Sequence, residues 1–342
     1  MDVDVIVVGA GPAGCAAAIS CIHAGLSVLM IAGKENIPTT SNNPTPSESI
    51  HPGVLSLLAQ IHATNAVDAA STGIYEGVQT GNAFSRLSDA EEFGPWLGHH
   101  INRAQFDASL LEAAIEQGVD ILKNEMVTSF LKEDGFIIGV ETNKEQKISC
   151  KYTIDASGYK RIGGKRLKFK EIYYSLPLTA WTGVAKNIRE CDPIFENRFT
   201  KFIPAVNGWT WLAPEPPDKC TWTKLSAKGK QLLTMPSELE AYINTENINA
   251  ANCRWRIFRP VCQEGIVLCG DAAGIIDPAA GQGILIALLS GINAAKAVAS
   301  CINDADHEAL YLASYDDWFF QYYHNKVQKL KQHYTDLGIL LF

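Results

Sequence analysis

The feature that most constrains this chain is its opening, VDVIVVGAGPAGCAAAISCIHAGLSVLMIAG, residues 3–33. Val5–Val8 is an unbroken β-branched run, as expected of a parallel strand covered on both faces. Gly9, Gly11 and Gly14 follow at once; Pro12–Ala24 has helical composition and stops before Gly25, and Val28–Ile31 is a second apolar strand. A glycine pattern set in a βαβ unit of this kind predicts dinucleotide binding. Gly9 permits a tight exit from the strand, Gly11 lets backbone approach a pyrophosphate, and Gly14 lets the helix pack close to the sheet. The helix start at Pro12 and Ala13 turns its free N–H groups and positive dipole end toward that phosphate. One element departs from the pattern. The second strand ends LMIAGK where an acid should meet the ribose, and Glu35 falls three residues late.

The remaining chain predicts a discontinuous α/β architecture. A Pro/Asn/Ser/Thr loop spans 33–47, a helix is expected at Pro52–Ala63, and another at Arg103–Gln117, stopped by Gly118. Residues 119–158 read as strands with a hairpin turn at Asp134-Gly135. Between 166 and 258, alternating Trp, Thr and Phe predict an antiparallel sheet. The expected organisation is a Rossmann-like three-layer domain, mostly parallel, from 1–80, 100–165 and 259–305. A β-rich substrate domain is expected from 81–99 and 166–258, and a C-terminal aromatic helix from 306–342. That helix reads either as a surface for a protein partner or, more plainly, as a helix buried against the core.

Composition removes several classes. The net charge of −8, with no Lys/Arg-rich run, argues against nucleic acid as a partner. The nine cysteines include no CxxC pair and suit reduced thiols, so neither a disulfide framework nor a metal site is expected. No leader and no membrane span are expected, which makes the cytoplasm the default location.

Two later stretches say which dinucleotide, the first being YTIDASG, residues 152–158, a strand leading to Asp155 and a small-residue turn. GIVLCGDAAG, residues 265–274, is a strand leading into Gly270-Asp271, whose carboxylate suits a polyol such as the ribityl chain of a flavin. Gly281, Gln282 and Gly283 then open a long apolar helix from Ile284 to about Ser300. Its dipole would face the flavin pyrimidine edge, where reduction places negative charge. Pro278 would lie over the ring, and Asp277 has no evident role.

On these residues the chain resembles the flavoprotein superfamily that includes para-hydroxybenzoate hydroxylase, geranylgeranyl reductases and flavin-dependent halogenases. Gly9, Gly11 and Gly14 match its phosphate turn, and Arg103 the arginine opening its R..FD..L helix. Asp155 of DASG and Asp271 of GDA match its two carboxylate turns. The resemblance implies non-covalent FAD held by Gly9, Gly11, Pro12, Ala13, Gly14, Arg103, Asp155, Asp271, Gly281, Gln282 and Gly283. For Arg103 a surface ion pair is the competing reading.

NGWTWLAPE, residues 207–215, is similar to the Gly-Trp-x-Trp-x-Ile-Pro strand of halogenases, with Ala213 in place of isoleucine. Plain core packing of Trp209 and Trp211 fits the alternation equally. Halogenation in that branch needs a lysine after the ES..P segment, and this chain has none between Lys34 and Lys123. ESIHPG, the short length and the missing lysine resemble modifying flavoproteins of the LodB/GoxB type, which serve cysteine tryptophylquinone biogenesis in quinoprotein amine oxidases. The resemblance implies an FAD monooxygenase that uses O2 near Pro278 and hydroxylates a tryptophan of an amine oxidase precursor. Reductant would come from NAD(P)H or a separate flavin reductase. Glu48 and His51 are the acid/base candidates, against a helix N-terminal carboxylate and a cap residue respectively. His99, His100 and Arg86 read equally well as solvated loop residues. A small-molecule aromatic hydroxylase or atypical halogenase, and a prenyl-lipid reductase, are the alternatives.

Overall fold

A computed structural model describes residues 2–33, 46–87, 96–189, 192–195, 197–227, 235–244 and 248–342. Their α-helices are α1 Pro12–His23, α2 Gly53–Gln60, α3 Asn65–Ala70, α4 Arg103–Glu116, α5 Ile162–Arg166, α6 Gly283–Asn303 and α7 Glu308–Asp336. Glu35 lies outside the described residues.

The buried apolar runs form the first sheet. Across it the strands lie in the order Cys262–Gln263, Ile266–Leu268, Lys147–Asp155, Asp2–Val8, Val28–Ala32 and Asp120–Lys123, all parallel after the first pair. The register aligns Val8 with Ile31 and Asp155, and Asp155 with Leu268. Four strand ends, with the turns that follow Val8, Asp155 and Leu268, therefore meet at one edge, where α/β sheets place their ligands. A hairpin extends the sheet through Val127–Glu133 and Phe136–Thr142. Its turn is Asp134-Gly135, with φ of 49° and 93°, the positive pair that matches strand twist.

The aromatic region folds into a second sheet, antiparallel through Thr179–Lys186, Lys219–Ser226, Gly208–Glu215 and Phe199–Ala205. The strand Gly77–Thr80 joins it parallel to Phe199–Ala205 and brings its own hairpin partner, Ala83–Arg86. Expected and observed architecture agree: a mostly parallel α/β domain, a separate antiparallel sheet and a C-terminal helix.

One expectation needs correcting. At 21 residues and mean hydropathy 1.7, α6 is long and apolar enough to cross a membrane. Here it is a core helix packed on α1, with Ile284, Leu288, Ile292, Ala295 and Val298 buried. The two helices touch backbone to backbone: a Cβ built on Gly291 would lie 2.3 Å from Ala13 O.

α7 follows the plainer of its two readings. Leu312, Tyr315, Phe319, Tyr323, Val327 and Tyr334 recur at helical spacing and are buried. Three of its hydroxyls donate into the segment leading to the glycine turn at 281–283. Tyr315 reaches Leu268 O at 2.8 Å, Tyr323 reaches Ile275 O at 2.9 Å, and Tyr334 reaches Asp277 Oδ1 at 2.9 Å. Glycine at 291 is thus a packing requirement. Gly291→Ala is expected to cost about 1–3 kcal/mol through overpacking, seen as a lower Tm of the FAD-loaded protein; an unchanged Tm would show that the helices part without penalty.

Candidate flavin site

The phosphate turn forms as its glycines require. Gly9 has φ of 110°, and a Cβ there would lie 2.4 Å from Ala156 O. A Cβ on Gly14 would lie 2.0 Å from Gly9 O, so helix and turn are locked together. At Gly11, by contrast, a Cβ would meet nothing within 4 Å. That glycine is needed for something the protein itself does not supply at the spot. α1 begins with Pro12 at its first position and has neither a side-chain cap nor an acid in its first turn. Its first N–H groups are left for an anion.

The second turn lies against the first, since a Cβ on Gly270 would come within 2.8 Å of Ala13 Cβ. Gly270 N donates to Ser290 Oγ at 2.8 Å, and Asp271 O accepts from Arg256 Nη2 at 2.9 Å. With the backbone pinned from both sides, the Asp271 carboxylate has no hydrogen-bond partner among the described residues. Burial raises its pKa, while the Arg256 and Arg103 charges oppose the rise. A half-buried carboxylate with its acceptor sites open at this place fits the polyol of a flavin. Gln282 Oε1 is buried and unpartnered, and α6 starts beside it without a side-chain cap or an acid. A Cβ on Gly283 would meet only open space, and Gly281, at φ 56°, faces Ser49 O. Pro278 is exposed at the head of a short turn whose cap is Asp277, which accepts from Ala279 N at 3.0 Å.

Arg103 opens α4 and is held by two carboxylates. Its Nη1 donates to Glu48 at 2.8 and 2.9 Å, while Nε and Nη2 grip Asp107 at 3.2 and 2.9 Å. Burial disfavours its charge, but Glu48 and Asp107 outweigh that and raise its pKa. The ion pair and the place beside Asp271 coexist. Glu48 is a strand residue, paired with Ile101, and not the helix N-terminal carboxylate it resembled; both its oxygens face Arg103.

His51 precedes α2, and its Nδ1 accepts from Gly53 N at 3.0 Å. The neutral ring therefore carries its proton on Nε2, available as a donor. Burial, and then the nearby Lys326 charge, lower its pKa. Trp96 meets the ring edge-on at 5.9 Å.

Asp155 is fully buried, and its carboxylate accepts from Ser157 N at 2.9 Å and Gly163 N at 2.6 Å. It closes the turn behind Gly9 from within the protein. Burial raises its pKa against those hydrogen bonds.

Several participants carried no short-range signal. Asp277 accepts from Tyr334 and from Trp255 Nε1 at 2.7 Å, and Tyr334 Oη in turn accepts from Trp209 Nε1 at 2.7 Å. Trp209 is thus core, 2% exposed. Trp211 donates instead to Ser49 Oγ at 3.3 Å, which is 3.0 Å from His100 Nδ1. His99 and His100 lie on the strand Gly98–Ile101, not in a loop. His100 is buried and stacked on Tyr75, and burial, aided by His99, pushes it down to about 4. Arg86, also on a strand, forms an exposed ion pair with Glu76 at 3.6 Å.

Residues 2–317 match the FAD binding domain family, and the chain belongs to it. Among curated relatives, the 1H-pyrrole-2-carbonyl-[peptidyl-carrier protein] brominase of Pseudoalteromonas luteoviolacea is 28% identical over 92% of this chain and 81% of its own. Digeranylgeranylglycerophospholipid reductase 3 of Methanosphaera stadtmanae is 26% identical over 96% and 85%. The solved flavin-dependent brominase Bmp2 superposes with a TM-score of 0.78 at 22% identity, over 93% of this chain and 84% of that one. The cofactor is FAD, and the chain falls within a family of FAD-dependent halogenases and reductases.

Two measurements test the site. Asp271→Ala should weaken FAD binding by about 1.5–3 kcal/mol, the worth of a charge-assisted hydrogen bond, read by titrating apoprotein with FAD; unchanged affinity would remove its assigned role. Asp277 sits at about 6, raised from 3.8 chiefly by burial. A raised acid stabilises the fold fully below its unfolded pKa and loses that contribution as pH climbs through its folded one. Denaturation of wild type from acid to neutral pH should therefore show a loss of about 2–3 kcal/mol that Asp277→Asn lacks. Parallel curves for the two proteins would refute the assignment.

Proposed function

We propose that the protein is an FAD-dependent monooxygenase acting on an electron-rich aromatic ring borne by another protein, with tryptophan indole as the preferred ring. The observation that carries this reading is the aromatic character of the wall beside the flavin turn: Trp211 hydrogen-bonded to Ser49, which borders Gly281, and His51 edge-on to Trp96. The absence of any lysine from 35 to 122 favours oxygen over halogen as the group transferred. The brominase relative is named for a pyrrole ring on a carrier protein, which supports a protein-borne N-heteroaromatic ring as the substrate class. The LodB/GoxB resemblance extends this to an amine oxidase precursor during cysteine tryptophylquinone maturation in the cytoplasm.

Reduced FAD supplies the two electrons by which one oxygen atom of O2 enters the ring and the other leaves as water. The protein's part is positional. Gly11 and the α1 N-terminus receive the pyrophosphate, Asp271 the ribityl chain, and the α6 start with Gln282 the pyrimidine edge. Arg103, held by Glu48, keeps positive charge beside Asp271. His51, whose Nδ1 is taken by Gly53 N, keeps Nε2–H as the group that would donate to the oxygen newly placed on the ring.

A second reading has one observation of its own. Lys326 on α7 comes near enough to His51 for its charge to act on the ring, so a lysine enters this neighbourhood from a different element. Halogenation at a lysine supplied by α7 is the alternative.

The deciding assay gives FAD-loaded protein, a flavin reductase, NADH, O2 and bromide a choice of free indole or a tryptophan-bearing precursor protein. A mass gain of one oxygen on the precursor alone is the expected result. Bromination would favour the second reading, and turnover of free indole alone would sink the protein-substrate claim. Oxygen-independent reduction of an isoprenoid would replace both readings with that of a lipid reductase. His51→Leu, which removes the donor, should lower the rate about 10- to 100-fold or more; an unaffected rate excludes His51 from the reaction.

A further inference from the structure

Trp209 and Trp211, two residues apart on the strand Gly208–Glu215, lie on the same face of the second sheet. Their Nε1–H groups lead to the two ends of the turn Pro278–Ala280. Trp209 donates at 2.7 Å to Tyr334 Oη, which donates to Asp277, the residue that caps this turn. Trp211 donates at 3.3 Å to Ser49 Oγ, and Ser49 O is 3.7 Å from the place a Cβ would take on Gly281. The inner tie is closed off, since Trp209 and Tyr334 are both buried. At the outer tie Trp211 and Ser49 are only half-buried, and the indole N–H rests on one hydroxyl.

That hydroxyl is itself held. Ser49 and His100 lie opposite each other where Glu48–Ile50 pairs with Gly98–Ile101, which sets Ser49 Oγ 3.0 Å from His100 Nδ1. An indole N–H only donates, so Ser49 Oγ accepts from Trp211 and gives its one proton to His100 Nδ1. His100 then carries its ring proton on Nε2 and is neutral, as its burial favours. The imidazole is held in that role by its stacking on Tyr75, with ring centroids 5.0 Å apart. Tyr75 in turn donates to Ile50 O at 3.1 Å, and a Cβ on Gly98 would lie 2.2 Å from its ring. Tightly packed groups thus back the hydroxyl and give the indole one direction in which to point.

We infer that Ser49 is a positioning residue: its hydroxyl, aimed by His100, holds the half-buried indole of Trp211 in one orientation beside the flavin turn. The inference rests on the reading of this turn as the place of oxygen transfer to an aromatic ring. A fixed indole gives the substrate ring one surface to lie against while the oxygen is transferred. A loose one lets O2 leave as hydrogen peroxide, with the two electrons of reduced FAD and two protons, and no oxygen enters the ring.

Two readouts on FAD-loaded protein test this, the first without any substrate. An indole held close to a flavin quenches its fluorescence by electron transfer, so the flavin fluorescence decay reports on Trp211. Trp211→Phe should lengthen the decay, and Ser49→Ala should broaden it into several lifetimes. Ser49→Thr, which keeps a hydroxyl, should return the wild-type decay. An unchanged decay in Trp211→Phe would place the indole away from the flavin, and an unchanged decay in Ser49→Ala would show that packing alone holds it; either overturns the inference. The second readout is hydrogen peroxide released per reduced flavin oxidised in the presence of the tryptophan-bearing precursor. Ser49→Ala should raise it about two- to tenfold, the loss of one hydrogen bond. Ser49→Thr should restore it, and Ser49→Ala should add nothing in a Trp211→Phe background, where the ring has no N–H to hold. A rise that adds to that of Trp211→Phe, or that Ser49→Thr does not reverse, overturns the role. If the decays respond as expected but wild type oxidises no precursor, the positioning of Trp211 stands and the proposed reaction falls.

Discussion

The contact on which this molecule turns is the approach of α6 to α1, where Gly291 lies against the carbonyl of Ala13. No side chain fits between the two helices there, so their N-terminal ends are carried to the same edge of the parallel sheet. Helix ends keep their first N–H groups unpaired, and here neither end has a side-chain cap. Two sources of positive potential thus face one cradle. The remaining flavin contacts fall into place because the strand register puts the Gly9, Asp155 and Cys269 turns side by side.

Around that cradle several charged side chains are answered from within the protein. Asp155 is answered by Ser157 and Gly163, Arg103 by Glu48 and Asp107, and Asp277 by three donors. Buried Gln282 Oε1 is left unanswered, the half-buried Asp271 carboxylate has no hydrogen bond among the described residues, and both lie on the path assigned to the flavin. An unmatched buried polar atom is expensive enough that the contrast separates ligand-binding residues from those that only hold a turn.

α7 shows how a segment can support the site from behind. Its tyrosines support Leu268, Ile275 and Asp277 from beneath, and through Tyr334 they tie the flavin-side turn to Trp209 of the second sheet. A change in the turn is therefore felt in both sheets. The low-dielectric setting makes those hydrogen bonds strong and holds Asp277 near 6.

The sequence by itself determined whatever is written within a few residues. The strand–turn–helix of 3–33, the Asp-Gly hairpin, the helix opened by Arg103 and the GDA and GQG turns announce themselves because φ > 0, close approach and helical periodicity are local demands. FAD followed from those turns in order. Tertiary structure alone decided which polar groups answer one another. Nothing near Asp277 in the chain points to Tyr334, 57 residues on, nor near Ser49 to Trp211, 162 residues on. Glu48 reads locally as a helix-start carboxylate, yet pairing with Ile101 makes it a strand residue facing Arg103. α6 is long and apolar enough to cross a membrane, contrary to the sequence expectation, yet its packing on α1 makes it a core element. Those outcomes depend on burial and on partners across the fold, and a one-dimensional pattern carries neither.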